Sequence, residues 1–89
     1  MAIIQEAELI LLQRIQAKDS SALAELMDLY GAALNGVVQR ILTNPEEVEE
    51  VMQDSFVKIG NHSLTYDPAK GRLFTWMLNI ARNQALDRL

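Results

Sequence analysis

Apolar side chains recur at steps of three and four along nearly all of this chain, and little interrupts them: 4 glycines and 2 prolines stand among 89 residues. Such spacing places one apolar stripe along one side of a helix, since each helical residue turns by about 100°. Strong helix formers (Ala, Leu, Met, Glu and Gln) make up 40 positions. The expectation is an all-α, compact bundle of about four helices, and the length allows one domain over residues 1–89 and no second. With no cysteine, neither a disulfide framework nor a thiolate metal site can form, so the apolar core alone must hold the fold. The run Leu9-Ile10-Leu11-Leu12 is too short for a membrane span and the start lacks a basic signal-peptide region, so a cytoplasmic location is expected.

Four helices can be placed. Leu9, Leu12 and Ile15 or Gln16 mark a short one around Glu8 to Ala17, ended near Lys18-Asp19-Ser20-Ser21, which is rich in N-cap residues. A long helix follows, its stripe drawn through Leu23, Leu26, Tyr30, Ala33 or Leu34, Val37 and Ile41, with Gly31 and Gly36 permitting a close crossing. Asn44 predicts the third start as a cap, with Pro45 at the first helical position and Glu47 placed for a capping box. Val48, Val51, Met52, Ser55, Phe56 and Ile59 are its core stripe; Glu46, Glu47, Glu49, Glu50, Gln53 and Asp54 are left for another face. Gly60 predicts its end, and the turn formers between Asn61 and Gly71 predict a loop. A last helix runs from near Arg72, with Phe74, Met77 or Leu78, Ala81 and Ala85 on one face and Thr75, Asn79, Arg82 and Asn83 on another.

The net charge of −4 conceals an asymmetry. Residues 1–57 carry three bases against ten acids, net −7, whereas residues 58–89 carry five bases against two acids, net +3. This is either ordinary surface scatter or two faces for two partners, one of which tolerates an anion.

Enzymatic chemistry is not indicated. Glu47, Glu50 and Asp54 share a helix face, but a di-iron bundle needs Glu-x-x-His motifs and the only histidine, His62, lies beyond that helix. No Ser or Thr has a nearby His as base, and no glycine-rich phosphate loop occurs, so no metal or cofactor is implied. The segment Tyr66 to Trp76 instead interleaves bases with aromatics ahead of a face of amides, hydroxyl and guanidinium. Lys70, Arg72 and Arg82 suit phosphates, Asn79 and Asn83 suit a base edge, and an aromatic ring suits stacking on an unpaired base. Phe74 is expected in the core and Trp76 half buried. His62 reads as a solvated loop residue or as a base contact.

From Asp28 onward the chain resembles region 2 of the extracytoplasmic-function (ECF) sigma factors, bacterial initiation subunits that direct RNA polymerase to promoters. Three pieces carry the resemblance, in order: Val48-Glu49-Glu50-Val51-Met52-Gln53-Asp54-Ser55-Phe56, then Tyr66-Asp67-Pro68-Ala69-Lys70-Gly71, then Phe74-Thr75-Trp76-Met77-Leu78-Asn79-Ile80-Ala81-Arg82-Asn83-Gln84-Ala85-Leu86-Asp87. The last is the most specific. The resemblance implies that the acidic helix docks on the clamp helices of the polymerase's largest subunit through Glu49, Glu50, Gln53 and Asp54, supported by Phe56. It implies that the loop and last helix engage the minus-ten element and capture a flipped non-template base, with Asn61, His62 and Tyr66 at the pocket and Lys70, Arg72, Thr75, Trp76, Asn79, Arg82 and Asn83 on the strand. An anti-sigma factor is an implied further partner.

Two departures stand out: Gly60 replaces a tryptophan frequent in the family, and the family's second, helix-turn-helix domain has no counterpart here. The uncapped last helix suggests a fragment of a longer chain. A rival reading, from a different class, is a helical adaptor whose amide row meets another protein and no DNA.

Overall fold

Side-chain caps satisfy amides that the starts of two helices leave open, Asp19 and Asn44 being the capping residues. In the computed structural model, which describes residues 6–89, the order is α1 (Glu6–Gln16), α2 (Ser20–Ile41), α3 (Pro45–Asn61), a single 3-10 turn (Ser63–Thr65) and α4 (Leu73–Asp87). The all-α bundle expected from periodicity is what forms. α1 closes with the Lys18 amide bonded to the Ile15 carbonyl and the Asp19 amide to the Arg14 carbonyl, both at 3.0 Å, and Lys18 takes the left-handed conformation at φ 68° that glycine usually supplies there. Asp19 then caps α2, accepting from the Ser21 amide at 3.0 Å and bonding Arg14 Nε at 3.0 Å.

Asn44 caps α3 as expected, its Oδ1 accepting from the Glu46 amide at 2.9 Å, with Pro45 in the first turn. The reciprocal capping-box bond from Glu47 does not form among the described residues. α3 also runs one residue past Gly60, to Asn61, with His62 as its C-cap. Gly60 is not a terminator: it lies within the last turn of α3, where a Cβ would stand 3.4 Å from Leu23 Cδ2 of α2, an ordinary van der Waals contact.

α2, α3 and α4 pack pairwise on one another, while α1 lies on α2 and reaches the 3-10 turn. The interior comprises Leu26, Leu34 and Val38 of α2, Val51, Phe56 and Ile59 of α3, and Leu73, Met77, Ala81 and Ala85 of α4. The stripe of α2 thus runs through Ala22, Leu26, Leu34 and Val38, and the expected Leu23, Tyr30 and Ile41 are only partly buried beside it. Both flanks of that helix are apolar, so spacing alone left its centre undefined by one position. In the same way Leu73 fills the core place expected of Phe74, which is half buried with its ring 5.7 Å from Tyr30. Gly31 and Gly36 make no close crossing; a Cβ at either would meet nothing within 4 Å. No helix among the described residues is long and apolar enough to cross a membrane.

Candidate nucleic-acid interface

The loop between α3 and α4 is held by its own polar groups. Ser63 Oγ donates to the Gly60 carbonyl at 3.1 Å, Thr65 Oγ1 to the His62 carbonyl at 2.7 Å, and Gln16 Nε2 of α1 reaches across to the Ser63 carbonyl at 3.1 Å. Pro68 follows Asp67 in a turn closed by the Lys70 amide on the Asp67 carbonyl at 3.0 Å, while Asp67 Oδ1 accepts from the Ala69 amide at 2.9 Å. Tyr66 closes the whole: its hydroxyl donates to the Gly71 carbonyl at 2.7 Å, and its ring lies 5.4 Å from Trp76, tilted by 47°. Burial first, then the charges of Glu8 and Asp67, push the Tyr66 hydroxyl above the usual tyrosine range, so it remains a proton donor.

α4 then presents its second face. With Leu73, Met77, Ala81 and Ala85 turned inward at four-residue steps, Thr75, Asn79, Arg82 and Asn83 are exposed. Two clefts of about 230 Å³ each flank Trp76. The first is lined by Thr65, Tyr66, Asp67, Lys70, Gly71, Arg72, Thr75, Trp76 and Asn79, so one carboxylate stands beside its two cations. The second is lined by Lys58, His62, Thr65, Trp76, Ile80 and Asn83. Cationic charge is available at both: Lys70 at the first and Lys58 at the second have no carboxylate within 4.0 Å among the described residues, nor has Arg82 outside them, while Arg72 Nη2 stands 3.7 Å from Glu8 Oε1.

Several expected site residues sit differently from the sequence reading. Tyr66 is 6% exposed with its hydroxyl spent on Gly71, so it shapes the first cleft from within the core and does not reach outward. Asn61 joins neither cleft; it faces the α1–α2 junction beside Lys18, Asp19 and Leu23. Arg82 is exposed on the same face of α4 but lines neither hollow. Lys58, Thr65 and Ile80 were missed. For Lys58 and Ile80 the signal was helical spacing, since Lys58 lies four before His62 and Ile80 four after Trp76; Thr65, in the 3-10 turn, carried none.

The acidic face of α3 is divided. Glu46, Glu49, Glu50, Gln53 and Asp54 are exposed, but Arg88, just beyond α4, binds Glu50 Oε2 at 2.8 Å and stands 3.6 Å from Asp54 Oδ2. The expectation of an entirely free acidic face therefore fails at Glu50 and Asp54, because the end of α4 folds back onto them. Glu49 and Gln53 border instead a groove of about 880 Å³ between α2 and α3, with Gly31, Asn35 and Met52 on its walls. Phe56 is 3% exposed and supports this groove from the core.

Comparison with known proteins follows the same lines. A family model described as sigma-70 region 2 matches residues 26–89. Similar curated proteins include the ECF RNA polymerase sigma factor SigK of Mycolicibacterium vanbaalenii, 32% identical over 79 residues that make up 89% of this chain and 40% of that protein. The proteins of the same name from Mycobacterium sp. (strain KMS) and Mycobacterium tuberculosis (strain H37Ra) are each 32% identical, covering 90% and 89% of this chain and 42% of their own length. The chain spans about two fifths of the length of these relatives.

Proposed function

The chain belongs to the sigma-70 region 2 family, and from that premise we propose that it acts in bacterial transcription initiation, docking on core RNA polymerase and opening the minus-ten promoter element by holding non-template bases. The observation that carries this reading is the exposed row Thr75, Asn79, Arg82 and Asn83 on α4, set beside two clefts that share Trp76. Asn is a poor helix former, and two of them one turn apart serve no packing purpose on a solvated face. Beside clefts with free cations they offer donor and acceptor together to a base edge.

The chemistry is binding alone. Taking a base out of the stack costs a few kcal/mol, and stacking on an aromatic side chain returns about 1–3 kcal/mol per base. Trp76, half buried and braced by Tyr66, is a rigid surface for that purpose. Lys58, Lys70 and Arg82 neutralise phosphates along the strand, and Asn79 and Asn83 select among bases at separate positions. The polymerase is met elsewhere, on the first half of α3. Glu49 and Gln53 stand at the α2–α3 groove with no ion pair among the described residues, and they carry more of the docking than Glu50 and Asp54, whose charge Arg88 already offsets.

Salt titration of single-strand binding tests the reading. Three phosphate contacts give a slope of log affinity against log salt of about −2, at about −0.7 per contact. With the full-length parent chain and core polymerase, Asn79→Ala lowers promoter opening while polymerase binding is kept, and Glu49→Lys lowers polymerase binding while the fold is kept. A helical adaptor without a DNA role would bind no strand at any salt, and that outcome ends the proposal.

A further inference from the structure

α1 contributes to the interface a charged group that its own packing does not require. Glu8 is 7% exposed, and among the described residues its Oε2 has no hydrogen-bond partner. Among the described residues its one counter-charge is Arg72, at 3.7 Å from Oε1, too far for a hydrogen bond. Buried carboxylates are ordinarily paired and hydrogen-bonded on both oxygens, and Oε2 departs from that rule. The surroundings are shared: the Tyr30 hydroxyl of α2 is pushed up by burial, then by the Glu8 charge and a hydrogen-bonding contact with Glu8, and the Tyr66 hydroxyl of the loop by burial, then by the charges of Glu8 and Asp67, with Arg72 acting in the opposite sense on each. α2, the loop and the N-cap of α4 thus all act on this carboxylate of α1.

Arg72 is the member that faces outward. Its side chain is 56% exposed, it precedes α4 as the N-cap residue, and it lines the first cleft. A phosphate approaching Arg72 meets a guanidinium that already has an anion behind it. Drawing the guanidinium outward would also leave Glu8 buried with no counter-charge. Both effects oppose phosphate binding, and neither depends on which base is present.

We propose that Glu8 is a specificity-determining residue: by withholding Arg72 from the sugar-phosphate backbone, it makes occupancy of the first cleft depend on contacts to the base. The inference rests on the nucleic-acid reading of α4. Phosphate contacts bind every sequence alike, so tempering one of them raises the share of binding that Asn79 and its neighbours decide.

The test compares the unaltered chain with Glu8→Gln, which keeps shape and removes charge, and with Glu8→Met as a second, apolar variant. Fluorescent 12-nucleotide single strands of dT, dA and dC are titrated at several salt concentrations, and each protein is melted thermally. Removing the charge should tighten binding to every strand by roughly threefold to tenfold, the size expected of one half-exposed charged contact. The salt slope should steepen by about 0.7, one phosphate. The ratio of tightest to weakest strand should narrow, and the melting temperature should hold or rise. In an Arg72→Gln background the gain should vanish. A folded Glu8→Gln or Glu8→Met that binds no tighter overturns the inference, as does a gain that survives Arg72→Gln. If neither the unaltered chain nor the Glu8 variants bind any strand at low salt, the nucleic-acid reading itself falls; binding by the unaltered chain with no gain in the variants removes only the role of Glu8.

Discussion

Tyr66→Phe separates shaping a nucleotide site from touching the nucleotide. The substitution keeps the ring, and with it the tilted pairing to Trp76 at 5.4 Å, and removes only the hydroxyl that donates to the Gly71 carbonyl at 2.7 Å. A neutral hydrogen bond of this kind contributes about 0.5–1.5 kcal/mol net. Gly71 is only half buried, so water can satisfy its carbonyl once the hydroxyl is gone, and the loss should fall near 1 kcal/mol. For a domain of this size that lowers the melting temperature by roughly 4–8 °C, measurable by circular dichroism. Amide exchange should quicken at residues 67–72, and single-strand binding should weaken in proportion to that loosening. The pH dependence has a definite sign. Because burial raises the Tyr66 pKa above its ordinary 10.0, the neutral hydroxyl's contribution is fully present below that value and is lost as pH rises through the raised one. Tyr66→Phe should therefore lose less stability at high pH than the unaltered chain. A melting temperature within 1 °C of the parent, or abolished strand binding with loop exchange unchanged, would refute the view that Tyr66 acts by holding the loop.

Other substitutions test the packing. Ser55 is fully buried and its hydroxyl has no partner among the described residues, so Ser55→Ala should stabilise the fold by about 1–2 kcal/mol in denaturant titration, since an unpaired buried hydroxyl costs about that much. Gly36→Ala should add about 0.5–1 kcal/mol, because a Cβ there meets nothing within 4 Å and glycine's extra freedom in the unfolded chain is removed. At the α1–α2 junction, hydrogen bonds from Ser21 and then Arg14 hold the Asp19 carboxyl at about 2 against an ordinary 3.8. Its contribution is therefore present above pH 3.8 and lost as pH falls toward 2, and acid melts of Asp19→Asn should show less loss over that interval.

The bundle was legible in sequence because its signals are local. Asn44 and Pro45 mark the start of α3 through a cap that spans two residues. The stripe Val48, Val51, Met52, Ser55, Phe56 and Ile59 follows from helical geometry alone, and all of it is buried as expected except Met52, which is half buried on the wall of the α2–α3 groove. Where signals competed, the reading slipped by one position. α2 carries apolar residues on both flanks of its stripe, and its packing against α3 and α4 decides that Leu34 and Val38 face inward while Val37 does not. Gly60 looked like a stop signal because glycine so often is one, whereas its neighbour is Leu23, thirty-seven positions earlier.

The candidate site divides along the same line. That Thr75, Asn79, Arg82 and Asn83 share an outward face needed only the repeat of 3.6 residues per turn, and the family's likeness is written in that helix too. What local pattern could not reach was the company those residues keep. Charges act through space, and a chain folded into helices brings distant ones within a few ångström. Hence Arg88 sits on Glu50 and Asp54, taking up carboxylates that looked free. Hence also Glu8, unremarkable as the opening of an amphipathic helix, lies under Arg72 some sixty residues onward, a placement that only the packing of α1 against the rest of the bundle creates.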